Sequence, residues 1–181
     1  MKMLKKMLAI VLTGAMALTL FTACGSNAVN DKNIADALND IVKSSAAVGL
    51  TEAYTFKPRT NEQAMAKAIA ELPEAEWNKK GDGDNKFSGP VMKILGLDEG
   101  GANKTSRFVW CGAVIADEIG TTGQAYNAMN NILSQKAANA DNLAGKKPAD
   151  IRYIGTALGT LTIHGKQTTV RFIVVTAEVE N

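Results

Sequence analysis

Cysteine, histidine and clustered positive charge are what this sequence has least of, and each shortage removes a class of protein. Two cysteines and one histidine in 181 residues cannot make a Cys/His structural zinc site. They also fall short of the dense disulfide framework that staples small secreted domains. The 20 Lys and Arg are nearly matched by 18 Asp and Glu, with no basic stripe outside the first residues. The electrostatic footprint of a nucleic-acid binder is therefore absent. No internal repeat or low-complexity tract interrupts the chain.

What is present begins at the amino terminus. Lys2, Lys5 and Lys6 stand among the first six residues without an acid, and Met7 to Phe21 is apolar apart from small residues such as Thr13 and Gly14. A charged segment followed by an apolar run too short for a spanning helix of roughly 20 residues reads as a signal peptide. Removing residues 1–23 takes away three lysines and no acids, leaving 17 basic against 18 acidic residues and a net charge of −1. The basic character of the whole chain thus belongs to its leader.

Leu20-Phe21-Thr22-Ala23-Cys24 resembles the lipobox of bacterial lipoproteins, with Phe21 where Leu is usual. The resemblance implies that Cys24 is diacylated and becomes the mature amino terminus. Each buried methylene contributes about 0.8 kcal/mol, so two long chains hold a protein stably on a membrane without spanning it. Residues 24–30 would form a short tether, and residues 31–181 a single domain close to the lipid surface. The implied location is the bacterial cell envelope, on the outer face of the cell membrane or on the outer membrane.

Within the mature chain, Ile34, Leu38, Ile41 and Val42 recur at helical spacing behind Asp31, predicting a helix over 32–47. Leu50 to Phe56 reads as a short strand. Thr60 and Gln63 match a capping box before the stripe Met65, Ala68, Ile69 and Leu72, with Pro73 closing the helix. Residues 73–105 read as loops around a short helix near Val91–Leu97. Phe108 to Ile115 is apolar at both alternating positions, which predicts a central strand covered on both sides. Thr121 and Gln124 repeat the capping-box signal ahead of Tyr126, Met129, Ile132 and Leu133, a helix to about Ala138.

The carboxyl end predicts a β-hairpin. A type II′ turn at Gly165-Lys166 would pair Leu161 with Val170 and Gly159 with Phe172 on an apolar face, leaving Thr160 and Arg171 on a polar one. Moving the turn to His164-Gly165 would put Leu158 opposite Arg171, so the pattern favours the first register. The expectation is an α+β domain: a small antiparallel sheet with a C-terminal hairpin, packed on its apolar face against three or more helices.

Few residues carry chemistry. Cys111 and His164 are the pair that could support thiolate catalysis, as an envelope hydrolase or transpeptidase. Against it, Cys111 lies in an apolar strand, where a free thiol behaves as a small hydrophobe. Asp82-Gly83-Asp84-Asn85 suggests calcium, but Lys86 stands at the third ligand position and Phe87 where the EF-hand needs glycine; no metal site or cofactor is expected. Trp77 reads either as a surface marker or as a plug at the edge of the core. Gly159 to Gly165 looks like a strand-turn segment of the YceI-like lipid-binding barrels, whose nearly all-strand fold does not suit a chain with three helical segments. The reading is a lipid-anchored, non-catalytic binding module whose protein or small-molecule partner is open, with apolar-ligand carriage as a further possibility.

Overall fold

The computed structural model describes residues 31–50, 52–77, 87–97, 107–117, 119–143 and 145–180. Cys24 with its lipobox and tether, and the Asp82–Lys86 segment, lie outside them. A four-stranded sheet in the order β1-β3-β4-β2 organises the fold. Its strands are β1 (Thr55–Pro58), β2 (Arg107–Ile115), β3 (Lys147–Ile163) and β4 (Lys166–Glu180). The helices are α1 (Asp31–Ala47), α2 (Thr60–Ala70), α3 (Glu74–Trp77), α4 (Gly89–Leu95) and α5 (Thr121–Ala128), the last running on into a π-helical turn, Met129–Leu133.

The α+β expectation is met, with two differences in the sheet. β3 and β4, like β4 and β2, pair antiparallel, but β1 pairs parallel with β3. Four α-helices, α2 to α5, and β2 separate β1 from β3 in the chain, ample length for the crossover that a parallel pair needs. The second difference is that helices cover both faces. On one face α1 and α5 bury Ile34, Leu38, Ala125 and Ala128 against Phe108, Trp110, Ile154, Ile173 and Val175. On the other, α2 and α4 bury Ala66, Ile69, Val91 and Leu95 against Val109, Val170, Phe172 and Val174. The long β4 is therefore buried at every position from Val170 to Ala177. Each fully buried aliphatic there contributes about 1.5–3 kcal/mol.

The local signals explain most boundaries. The stripe Ile34, Leu38 and Val42 is buried and α1 spans 31–47 as its spacing predicts. In α4, the Ser88 hydroxyl accepts from the Val91 N–H, Pro90 sits in the first turn and Gly96 closes the helix at φ 71°, the arrangement of stop and start signals that helix ends favour. Neither capping box forms. Arg59 and Gly120 occupy the N-cap positions without side-chain caps, so Thr60 and Thr121 are already helical. The strand expected from Leu50 is reduced to 55–58, and Leu50 is half exposed. Tyr126, placed in the apolar stripe of α5 by spacing, is also exposed; α5 turns Gln124, Ala125 and Ala128 inward instead.

β2 is covered on both faces as expected, but it lies at an edge of the sheet and not at its centre. Its first outward backbone groups, at Arg107 and Val109, are closed from the side. Asn139 accepts from the Val109 N–H at 3.1 Å and donates to the Arg107 carbonyl at 2.6 Å, while the Ala138 N–H donates to the Val109 carbonyl at 2.8 Å. The opposite edge repeats the device: Asn39 accepts from the Phe56 N–H at 2.7 Å and donates to its carbonyl at 3.0 Å. An unpaired edge is a template for aggregation, and one carboxamide at each side removes part of it.

The hairpin is present but turns one residue earlier than predicted. Ile163 pairs with Lys166, so His164 (φ 51°) and Gly165 (φ 77°) are the two corners. Positive φ at both corners is the type I′ turn, whose twist matches that of the flanking strands. Leu158 does stand opposite Arg171, and Leu161 opposite Thr168. The slip relative to the predicted pairing is two residues, which leaves every side chain on the face assigned to it. Phe172 still lies over Gly159, now diagonally: a Cβ on Gly159 would come within 2.7 Å of its ring.

Candidate functional site

The two residues singled out for thiolate chemistry are far apart. Cys111 pairs with Val174 in the middle of β2, whereas His164 is exposed at the hairpin tip. From Val174 to Lys166 is eight residues along β4, or roughly 26 Å at 3.3 Å per residue. Burial pushes the Cys111 thiol up to about 12, so it stays protonated at neutral pH and has no imidazole within reach. A thiol in that state is a weak nucleophile. Among the described residues no group of three or more His, Cys, Asp or Glu could hold a metal ion.

Beside Cys111 a cleft of ≈ 220 Å³ opens at the edge of the sheet, between Trp77 and Phe87 on one side and Trp110, Ile132 and Gln135 on the other. The π turn shapes its second wall by bringing Ile132 over Gly112. Trp110 donates its indole N–H to the Gln135 carbonyl at 3.0 Å. Trp77 packs edge-on against Phe172 with ring centroids 5.1 Å apart, so it plugs the core; its indole N–H is buried with no hydrogen-bond partner among the described residues.

The charged residues that matter most are buried ones that the sequence pattern did not single out. Glu62, in the first turn of α2, has no exposed surface. Arg59 holds it bidentately, with Nε 2.6 Å from Oε2 and Nη2 2.5 Å from Oε1, and the Thr176 hydroxyl donates to Oε1 at 2.7 Å. Arg107 lies 3.7 Å from the same oxygen, and the Arg59 guanidinium stacks 3.8 Å over the Tyr153 ring. Burial alone would raise the Glu62 pKa, but the hydrogen bonds from Arg59, Thr176 and Asn61 outweigh it and hold the carboxyl below its ordinary value. The pair bolts α2 to β4.

On the other face the roles of charge are reversed. Arg171 is 4 % exposed; its Nε donates to the Gln124 side chain at 2.8 Å and its Nη1 to the Thr156 hydroxyl at 2.9 Å. The Thr156 hydroxyl donates a hydrogen bond to Asp31 at 2.6 Å, and its backbone N–H donates to the same oxygen at 2.9 Å. Gln124 completes the chain by donating to the Ile119 carbonyl at 2.7 Å. Burial lowers the Arg171 pKa, with Asp31 opposing. Asp31 thus ties the start of α1 to the sheet. The signal that could have found Arg171 is its place inside the run Val170–Val175, where a lone cation among apolar residues must be partnered.

A shallow depression of ≈ 310 Å³ lies between Asp31, Pro58, Arg59 and Gln63, but Arg59 is already committed to Glu62. No helix among the described residues is long and apolar enough to cross a membrane. No protein-family model, curated protein or solved structure matches the chain.

Proposed function

We propose that the protein is an exported bacterial lipoprotein, anchored to a membrane of the cell envelope through acyl chains on Cys24. The domain from Asp31 onward then acts as a binding module and not as an enzyme. The observation that carries this reading is the order of charge, apolar run, small pair and cysteine over residues 1–24. Supporting the non-catalytic half, the one thiol in the described domain is partly buried, is held protonated by its apolar surroundings and lies far from the one histidine. The buried polar side chains Glu62, Arg171, Gln124, Thr156 and Thr176 are engaged in holding helices to the sheet. The cleft beside Cys111 is the surface best suited to a partner, since it offers aromatic lining and an indole N–H with no partner among the described residues, the combination of apolar wall and few polar groups that binding sites use.

Mass spectrometry of the mature amino terminus tests the anchor. Cys24 carrying two or more acyl chains is expected, and Cys24→Ser should leave the chain unlipidated and unprocessed by that route. An unlipidated terminus at any other residue would refute the reading.

A further inference from the structure

The cleft at the edge of β2 combines small residues with aromatic walls. Cys111, Gly112 and Ala138 add little bulk to its lining, while Trp77 and Phe87 stand on one side and Trp110 and Ile132 on the other. A slot between rings suits a flat ring, because aromatic side chains gain most from stacked or edge-on ring partners. Size sets a limit as well. A dry cavity of about 150 Å³ takes up benzene, and on that scale the ≈ 220 Å³ here admits roughly nine non-hydrogen atoms, one ring with a short substituent.

Charge narrows the class further. Among the described lining residues there is no acid, and the one cation, Lys136, is already paired with Asp141. An ionic ligand would leave water for aromatic walls without a counter-ion, which is costly. The Trp77 indole N–H is buried with no hydrogen-bond partner among the described residues, and a buried donor in that state calls for an acceptor. A carbonyl or hydroxyl oxygen on the ring would bring one. Resting on the reading of this cleft as the binding surface, we infer that it takes a neutral, flat, single-ring small molecule, seated between Trp77 and Trp110 with an acceptor oxygen on the Trp77 N–H.

The chain has two tryptophans, so an N–H correlation NMR spectrum of the purified full chain shows one indole peak for each wall. Benzamide, benzoate and benzamidine share nearly the same size and shape and are neutral, anionic and cationic in turn at neutral pH. Benzamide should move both peaks saturably, Trp77 further and downfield, because Trp110 is already bonded to the Gln135 carbonyl at 3.0 Å. Benzoate and benzamidine should bind about tenfold more weakly or worse. Ala138→Leu, which fills the slot, should abolish the benzamide shifts and leave the backbone peaks of β3 and β4 in place. No saturable shift with benzamide would overturn the inference, as would equal or tighter binding of either ion, or movement of the Trp110 peak alone. The charge series needs no variant, so it decides the matter even where Ala138→Leu fails to fold. None of these readouts involves Cys24: an unlipidated terminus would sink the anchor and leave the ligand class standing, whereas three silent probes would remove the ligand class and leave the anchor.

Discussion

The two faces of the sheet are built alike in composition and differently in contact. Each buries an aliphatic cluster under two helices, and each spends its buried charge on fastening a helix. On one face the fastened charge is an anion on the helix, Glu62 of α2, reaching Thr176 on the sheet. On the other it is a cation on the sheet, Arg171, reaching Gln124 on α5 and, through Thr156, Asp31 on α1. The closeness of approach differs as well. A Cβ placed on Gly155 would come 1.9 Å from the backbone nitrogen of Gln63, so α2 rests on the sheet main chain to main chain. A Cβ on Gly112, facing the π turn, would meet only the side chain of Ile132, at 2.8 Å. One face is a backbone contact held by an ion pair; the other is a side-chain contact held by a relay of hydrogen bonds.

Glycine substitutions should expose that difference most strongly. Gly155→Ala must push α2 off the sheet or distort β3, and it also strains the Glu62 cluster one residue before Gln63. Overpacking ordinarily costs 1–3 kcal/mol and more where backbone has to move, so a loss of about 3 kcal/mol or more is expected. Gly112→Ala asks only that Ile132 rotate into the adjoining cleft, for a loss of about 1 kcal/mol. Urea unfolding of the two variants measures both. Equal losses would mean that the two helical layers sit equally close and the contrast is unfounded.

The fastening groups come next in size. Removing the Glu62 charge breaks the bidentate pair, but Arg59 is partly exposed and keeps Thr176 and Glu178 within reach, so Glu62→Gln should cost about 2 kcal/mol at neutral pH, below the 3–5 kcal/mol of a fully buried broken pair. The folded-state pKa of Glu62 is depressed below the ordinary 4.5, so its contribution is present above that value and is lost as pH falls through the folded pKa. The stability gap between wild type and Glu62→Gln should therefore close as the solution is acidified below about pH 4.5. A gap that stays constant down to pH 3 would show that the carboxylate is not what holds α2.

How much of this was legible follows from which residues did the work. Helix α1, the facing of β3 and β4 and the α+β class were readable because apolar spacing decides them, as Ile34, Leu38, Val42, Phe172 and Val174 show. The polar half of the hairpin was misjudged, since Arg171 and Thr156 look solvent-facing when helices on the other side cannot be seen. β2 looked central because Asn139, thirty residues away from Val109, supplies the partner that a neighbouring strand would have given. The capping boxes failed because Thr60 and Thr121 sit one position inside their helices; the start of α2 is fixed instead by the Arg59 backbone N–H, which donates to the Ile154 carbonyl of β3 at 3.0 Å. Nothing local in the sequence marks the cleft beside Cys111: it depends on a π turn that displaces Ile132 and Gln135 from ordinary helical positions.

The smallest effect expected lies beyond both layers, at the hairpin tip, and it decides the register. With corners at His164 and Gly165, His164 carries φ 51°, a left-handed conformation that side chains with a Cβ adopt at a cost of roughly 1 kcal/mol. Asparagine tolerates that region better and is the preferred first corner of a type I′ turn before glycine. His164→Asn should therefore stabilise the domain by about 0.5 kcal/mol, and His164→Val, β-branched and bulky, should destabilise it by about 1–2 kcal/mol. In the alternative turn at Gly165-Lys166, His164 would be an ordinary strand residue, and there the order reverses because valine favours strands and asparagine does not. Gly165 occupies a positive-φ corner in both turns, so substituting it cannot separate them. Urea midpoints at unchanged slope for the two His164 variants read the sign directly; a more stable His164→Val would move the turn to Gly165-Lys166 and slide β3 by two residues against β4.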